Sequence, residues 1–194
     1  MKKQDIILIG GGGHCKSCID VIEQEGIYDI VGIVDLPEKK GEKILGYDIF
    51  ANDDDISELA NKYENFFITL GHLDSPHRRI ELFTLLKELN KALPVIVSPN
   101  AYISKHAKID EGTIAMHHTV INAGSKIGKN CIINNKALIE HDAIIGDHCH
   151  ISTGALVNGG VHVGNNTFFG SGAVSRQYIH IQDNSFIKAN SIIK

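Results

Sequence analysis

Several features are missing from this sequence of 194 residues, and each absence excludes a class of protein. Acidic residues outnumber basic ones, 23 to 19, so there is no excess positive charge of the kind that binds nucleic acid. The apolar run near the N-terminus, Ile6–Ile9, ends at a glycine and is too short for a signal peptide or a membrane span. We therefore expect a cytoplasmic protein whose partners are neither nucleic acids nor membranes.

What the sequence has instead is a repeat of six residues that runs from residue 101 to the C-terminus. An apolar residue recurs in one frame, from which only Ala115 and Ser175 depart. The positions are Ile103, Ile109, Ile121, Ile127, Ile133, Ile139, Ile145, Ile151, Val157, Val163, Phe169, Ile181, Ile187 and Ile193. A period of six fits neither an amphipathic helix nor a flat strand, but it is typical of a β-helix whose coils each have three six-residue sides. Residues 18 apart should therefore stack in successive coils, about 4.8 Å apart.

The first half of the chain has a different pattern, in which strand and helix signals alternate. Strands are predicted at Asp5–Ile9, Ile30–Val34, Phe66–Leu70 and Val95–Val97, and helices at His14–Glu25, Ile56–Tyr63 and Pro76–Lys91. The stretch from Leu36 to Tyr47 is predicted to be a loop. This order predicts an α/β domain over residues 1–98, Rossmann-like with a βαβαβα order and a parallel sheet, followed by the three-sided parallel β-helix over residues 99–194.

Glycines and polar residues follow the predicted strands of the first domain, where parallel sheets bind their ligands. They are Gly11, Gly12, Gly13 and His14 after the first strand, Asp35 after the second and Gly71 after the third. The glycines let the backbone approach a phosphate at a helix N-terminus, and Asp35 is placed to accept hydrogen bonds from a ribose or base. Since the third glycine of the dinucleotide motif is missing, we expect a nucleotide or nucleotide-sugar; a tight turn without a ligand is the alternative.

His141 is the histidine whose surroundings indicate catalysis. Glu140 and Asp142 flank it, and Gly159 stands 18 residues later, one coil further along. A carboxylate that bonds one ring nitrogen fixes the tautomer, so the other nitrogen can take a proton from an incoming nucleophile. The N–H groups of Gly159 and Gly160 could then bond the oxyanion of a tetrahedral intermediate. The arrangement predicts acyl transfer, with an inert surface histidine as the alternative.

A zinc site is the competing interpretation of the histidines in the repeat. β-Helices of the gamma carbonic anhydrase type hold a metal with three histidines, but their H-x4-H spacing is absent from the repeat. His117 with His118, or His148 with His150, could supply two ligands without an evident third. The single C-x-x-C motif, Cys15 to Cys18, likewise has no second copy to complete a site. We therefore expect no metal.

The whole chain resembles the bacterial sugar acyltransferases of the PglD and NeuD type. The matching segments are Ile7–His14 with Asp20, Val34–Asp35, Leu70–Gly71, Pro99–Ser104, Val120–Asn122, Leu138–Asp142 and His150–Ala155. Members of that family are left-handed β-helix trimers with an N-terminal nucleotide-sugar domain. The resemblance therefore implies a homotrimer, with acetyl-CoA as the acyl donor in the cleft between two subunits.

The resemblance also implies roles for individual residues. His141 would be the general base and Asp142 its orienting carboxylate, although many members carry Glu at the latter position. Asn134 and His150 would be polar contacts near the acceptor amine or the thioester, and Gly159 would donate its amide to the acetyl oxygen. The acceptor's nucleotide would be held by Gly11–His14, Asp35 and Gly71.

The function expected from these observations is an acetyl-CoA-dependent N-acetyltransferase that acts on the 4-amino group of a UDP-linked amino sugar in surface glycan biosynthesis. One alternative is O-acetylation of sialic acid or a related sugar hydroxyl, which would use the same base. The other is a non-catalytic hexapeptide-repeat scaffold that binds nucleotide-sugars.

Overall fold

The computed structural model describes residues 3–72 and 75–194. The chain forms two compact units. The first extends to Gly71 and resumes over His77–Pro94, and the second runs over Val95–Lys194 and includes His72. In the described ranges, no helix is long and apolar enough to cross a membrane.

The first unit is a five-stranded sheet with helices. Its strands are β1 (Gln4–Ile9), β2 (Tyr28–Val34), β3 (Lys43–Ile44), β4 (Tyr47–Ala51) and β5 (Asn65–Ile68), in the order β3-β4-β2-β1-β5. Its helices are α1 (Gly13–Glu25), α2 (Ile56–Ala60) and α3 (His77–Glu88), and short 3-10 turns lie at Pro37–Lys39 and Asp53–Asp55. Strands β1, β2, β4 and β5 are parallel, and β3 is antiparallel to β4.

The sheet differs from its prediction at β3 and β4. The stretch predicted as a loop contains β3 and the turn of a hairpin, and β4 begins at its last residue. The turn residues, Leu45 and Gly46, have φ values of 48° and 95°. Two consecutive positive φ values join antiparallel strands with the correct twist, but leucine at the first position gives no sequence signal for such a turn. The fourth parallel strand is therefore β4, and the predicted fourth strand at Val95–Val97 belongs to the β-helix.

The second unit consists of two-residue strands separated by corners. They are β6 (Ile96–Val97), β7 (Tyr102–Ile103), β8 (Lys108–Ile109), β9 (Ile114–Ala115), β10 (Val120–Ile121), β11 (Lys126–Ile127), β12 (Ile132–Ile133), β13 (Leu138–Ile139), β14 (Ile144–Ile145), β15 (His150–Ile151), β16 (Leu156–Val157), β17 (His162–Val163), β18 (Phe168–Phe169), β19 (Val174–Ser175), β20 (His180–Ile181), β21 (Phe186–Ile187) and β22 (Ile192–Ile193). Every third strand pairs in parallel, which gives three sheets. We call them side 1 (β6 to β21), side 2 (β7 to β22) and side 3 (β8 to β20).

The register of the strands follows the 18-residue spacing. Leu138 pairs with Leu156, and Ile139 pairs with Val157. The second residue of each strand points inward, and these side chains form one continuous buried core that also contains Cys131 and Cys149. The predicted fold class, an α/β domain followed by a left-handed parallel β-helix, is confirmed.

The outward residues give the three sides different surfaces. Side 3 carries Lys108, Lys126, Ile144, His162 and His180, and the rings of the last two lie 4.6 Å apart as an exposed pair. Side 1 carries Ile96, Ile114, Ile132, His150, Phe168 and Phe186. Side 2 carries only apolar or aromatic residues, Tyr102, Val120, Leu138, Leu156, Val174 and Ile192. The four in its middle are half-buried and the two at its ends are exposed.

Candidate active site

His141 lies at the corner between sides 2 and 3, after β13. Its Nδ1 is 3.0 Å from Asp142 Oδ2, and half of its side chain is exposed. Because a carboxylate only accepts hydrogen bonds, Nδ1 carries the proton, and in the neutral ring Nε2 is then the acceptor. The positive φ of Asp142, 58°, is part of the corner that places the carboxylate beside the ring. Aspartate therefore reaches the imidazole despite being shorter than glutamate.

Gly159 lies against the ring from the next coil. A Cβ atom built on Gly159 would be 2.6 Å from His141 Nε2 and 2.7 Å from its Cε1. These separations are too short for any side chain, so glycine is the residue that leaves room for the imidazole. The proton-accepting nitrogen of His141 thus lies beside the backbone of Gly159, as the 18-residue spacing predicts.

The two glycines of this corner differ in their backbone hydrogen bonds. The N–H of Gly160 donates to the carbonyl of His141 at 2.9 Å, and the carbonyl of Gly159 accepts from the N–H of Tyr178 at 3.0 Å. In the part of the chain that the structure describes, the N–H of Gly159 has no acceptor. Of the two amides expected to bind an oxyanion, that of Gly160 is already bonded within the coil, so the expectation is kept as a prediction for Gly159 alone.

The carboxylate of Glu140 bonds to the protein rather than to the His141 ring. Its Oε2 accepts hydrogen bonds from Asn122 Nδ2 at 2.9 Å and from the N–H of His141 at 3.3 Å. The bond from Asn122 joins two successive coils at this corner, and the bond from His141 lies within one coil. The carboxylate that contacts the ring is thus that of Asp142, and Glu140 fixes the backbone that carries it.

Asn134 and His150 contact each other on side 1, near its corner with side 2. Asn134 Nδ2 lies 3.1 Å from His150 Nε2, and His150 Nδ1 lies 2.7 Å from the carbonyl oxygen of His72. The carbonyl can only accept, so Nδ1 carries the proton and Nε2 accepts from the asparagine amide. Within one copy of the chain, this pair and His141 lie at opposite ends of side 2.

His150 has two aromatic neighbours that the sequence analysis did not assign to the site. Its ring meets that of Phe168 edge to face, with centroids 5.2 Å apart, and the His72 ring lies 6.2 Å away. Phe168 could have been found by counting 18 residues from His150. His72 could not, because it stands outside the repeat.

The glycines after β1 are held by Asp35. The N–H of Gly11 donates to Asp35 Oδ2 at 2.8 Å, the N–H of Leu36 donates to Oδ1 at 2.7 Å, and Lys39 Nζ lies 3.0 Å from Oδ2. Burial raises the pKa of this carboxyl, but the hydrogen bonds from Leu36, Lys39 and Gly11 outweigh it and hold the pKa below its ordinary value. Both oxygens of Asp35 thus bond to the protein itself, which the sequence analysis did not foresee.

A cavity of about 260 Å³ lies beside this loop in the first unit. Its described lining combines apolar residues with Gly10, Gly12, Asp35, Lys39, Asp53 and Arg78. A Cβ atom built on Gly12 or Gly13 would meet nothing within 4 Å, so the backbone is open there. Arg78 pairs with Asp53 and Glu81. The two cations were not predicted, because each is far in sequence from the glycine run.

The remaining two predicted nucleotide-sugar residues, His14 and Gly71, lie close to each other. A Cβ atom built on Gly71 would lie 3.8 Å from His14 Cβ. His14 Nε2 in turn lies 3.4 Å from the Sγ of Cys18, one helical turn away in α1. This contact lies at the start of α1, next to the open backbone of Gly12 and Gly13.

Comparison with known families identifies both units. Residues 5–84 match the family model of the PglD N-terminal domain, and residues 124–159 match that of the bacterial transferase hexapeptide, with six repeats. The chain thus combines a PglD N-terminal domain with hexapeptide repeats. The predicted resemblance to the PglD and NeuD type, and the prediction of an enzyme of the sugar N-acetyltransferase class, are confirmed. No curated protein matches the sequence significantly.

Solved structures similar to this acyltransferase cover nearly all of it. PerB from Caulobacter crescentus in complex with CoA and GDP-perosamine is 26% identical, with a TM-score of 0.90 over 98% of this chain and 88% of that one. The acetyltransferase domain of PglB from Neisseria gonorrhoeae in complex with acetyl coenzyme A is 25% identical, with a TM-score of 0.85 over 99% and 93%. WeeI from Acinetobacter baumannii is 19% identical, with a TM-score of 0.74 over 96% and 94%, and supports the fold alone.

Proposed function

We propose that this acyltransferase moves an acetyl group from acetyl-CoA to the 4-amino group of a UDP-linked amino sugar, for surface glycan biosynthesis. The observation that carries the proposal is the contact between His141 and Gly159. A ring nitrogen that is free to accept a proton lies beside a free backbone N–H, and Asp142 fixes the tautomer of the ring. Acyl transfer needs these two groups next to each other, a base for the nucleophile and a donor for the oxyanion.

In the proposed reaction the amine nitrogen attacks the thioester carbonyl carbon, and a carbon–nitrogen bond forms. The carbonyl oxygen becomes an oxyanion that accepts a hydrogen bond from the N–H of Gly159. His141 Nε2 takes the proton that the nitrogen loses, and Asp142 stabilises the resulting imidazolium. The carbon–sulfur bond then breaks, the oxyanion returns to a carbonyl, and the proton passes from His141 to the departing thiolate of CoA.

The acceptor's nucleotide is proposed to bind in the cavity of the first unit. The open backbone at Gly12 and Gly13 and the N-terminus of α1 suit a phosphate, and the cations Lys39 and Arg78 line the same cavity. Asp35 would act there by holding the loop through Gly11, rather than by free access to a ribose. PerB, which binds GDP-perosamine, supports a sugar nucleotide as the acceptor class.

Side 2 supports the proposed homotrimer. Its outward column is apolar along six coils, while side 3 presents lysines and histidines. Three copies that turn side 2 toward a threefold axis would bury these columns against one another. Since side 2 is bounded by the corner of His141 and the corner of Asn134, the first corner of one copy would then meet the second corner of its neighbour. Asn134 and His150 would complete the site of the adjacent copy.

Acetyl transfer to a sugar hydroxyl is the second candidate function, and one assay separates it from transfer to an amine. Release of CoA thiol from acetyl-CoA is measured with UDP-linked and GDP-linked 4-amino sugars and with matched sugars that carry a hydroxyl in place of the amine. We expect turnover with the amino sugars, highest with the UDP-linked one, and none above background with the hydroxyl analogues. Turnover confined to hydroxyl acceptors would overturn the proposal. Absence of thiol release and of acetyl-CoA binding by calorimetry would indicate a scaffold.

A further inference from the structure

Tyr178 occupies the corner one coil beyond Gly160, and its ring covers that glycine. A Cβ atom built on Gly160 would collide with Cδ1 and Cε1 of the tyrosine. The tyrosine side chain is nevertheless on the surface, with the residue 72% exposed. Gly159 and Gly160 therefore each make room for one ring, the first for His141 and the second for Tyr178.

Tyr178 occupies a corner position of the β-helix at which φ is positive. Its φ is 54°, in the left-handed region that bulky residues seldom adopt. Other corners of the β-helix adopt this conformation with glycine or asparagine, and four adopt it with a larger or charged residue, His118, Lys136, Asp142 and His148. Since the tyrosine ring adds little to the core, burial does not explain its presence. An exposed aromatic ring that lies against a glycine of the candidate site, rather than in the core, indicates a functional reason.

The position of the ring suggests that reason. His141 approaches the glycine pair from the preceding coil and Tyr178 approaches it from the following coil. Successive Cα atoms are about 3.8 Å apart, so the tyrosine covers the backbone immediately next to the proposed oxyanion donor. The acceptor amine must reach His141 Nε2, which leaves the side of Tyr178 for the acyl donor.

We infer that Tyr178 is a specificity-determining residue for the acyl group, with its ring as the wall that limits acyl length to acetyl. The inference rests on the proposed function, because it takes the thioester carbonyl to lie at Gly159. A wall one residue away from the reacting carbonyl excludes added methylenes. In a well-shaped pocket each methylene changes kcat/KM by about 10- to 200-fold.

The test measures thiol release with acetyl-, propionyl- and butyryl-CoA at saturating amino sugar. Tyr178→Asn removes the ring and keeps the corner, since Asn184 and Asn190 adopt the same conformation. Tyr178→Gly is a second ring-free variant that adopts positive φ without strain. Tyr178→Phe keeps the wall, and His180→Ala, an exposed residue of side 3 in the same coil, is the matched surface control.

We expect the ratio of kcat/KM for butyryl-CoA to that for acetyl-CoA to rise by about tenfold or more in both ring-free variants. Tyr178→Phe and His180→Ala should keep the wild-type ratio. An equal loss with all three donors would mean that the ring contacts the pantetheine arm, and it would overturn the inference. An unchanged ratio in active ring-free variants would also overturn it and leave the proposed function standing. If the wild-type enzyme releases no thiol with any donor, both the inference about Tyr178 and the proposed function are wrong.

Discussion

The glycines of the two units serve opposite purposes. In the β-helix, the space beside Gly159 and Gly160 is filled by rings of the same chain, those of His141 and Tyr178. In the α/β unit, the space beside Gly12 is empty and faces a cavity. A glycine can thus make room for a side chain, here that of the proposed base, or it can leave backbone open for a ligand. The first kind is expected to control turnover and the second to control binding.

The largest effect that this comparison predicts is at His141. His141→Ala removes the proposed base, and kcat should fall by about 10³-fold or more, because general-base catalysis contributes roughly 10² to 10⁴. Steady-state kinetics give kcat, and calorimetry should show nearly unchanged affinity for the nucleotide-sugar. In PerB, a variant with alanine in place of a histidine was crystallised with both CoA and GDP-perosamine. If the variant keeps near-wild-type turnover, His141 is not the general base.

A charge on side 2 should separate the copies of the proposed trimer. Leu138→Glu places a carboxylate in the apolar column, and burying it would cost several kcal/mol, so the expected product is a monomer with turnover reduced by about 10²-fold. Light scattering gives the mass in solution. The matched control is Ile144→Glu on side 3, which should keep the wild-type mass and activity. A wild-type protein that is itself monomeric would contradict the proposed assembly.

The same substitution in each unit sharpens the comparison directly. Gly159→Ala pushes the His141 ring from its place, and a displacement of about 1 Å costs roughly 10²-fold in turnover. Gly12→Ala meets no atom and has an ordinary φ of −79°, so its effect should appear as a raised KM for the nucleotide-sugar with kcat retained. Both variants should unfold at nearly the wild-type temperature. A fall of kcat in the second, or of KM alone in the first, would reverse the assignment of roles.

The smallest effect is expected at Asp35, and it concerns stability. Asp35→Asn weakens the hydrogen bonds from Gly11 and Leu36 and should lower the free energy of unfolding by about 1–2 kcal/mol at neutral pH. Because the pKa of Asp35 is lowered in the folded state, its contribution is present above the unfolded value of about 3.9 and is lost as pH falls through the folded value. Urea unfolding at several pH values should show the two proteins converging in acid. A constant difference would mean that the carboxylate charge is not the cause.

The accuracy of the sequence analysis also differs between the two units. In the β-helix a count of 18 residues places Gly159 beside His141 and Phe168 beside His150, because every coil has the same length. In the α/β unit no such count exists. Strand β3 lay in a stretch predicted as a loop, since a two-residue strand is too short to show alternation, and β4 was not predicted either.

The sequence did not predict those features of the candidate site that depend on hydrogen bonds rather than on the position of a residue in the fold. The sequence treats Gly159 and Gly160 alike, but one N–H is bonded to His141 and the other is free. The sequence predicts that Asp35 binds a ligand, but in the folded chain both of its carboxylate oxygens accept hydrogen bonds from backbone N–H groups. Lys39 and Arg78 gave no signal at all, because single cations are common on any surface and only folding brings them to one cavity.

By itself the sequence determined the β-helix, the stacking of its coils and the place of His141 within them, because a fixed repeat converts residue number into position along an axis. Only the tertiary structure decided which N–H is free, which carboxylate contacts the ring, and that Tyr178 covers the second glycine. Those outcomes depend on side-chain directions and corner conformations that differ by a few ångströms, and neighbours from separate coils set them jointly.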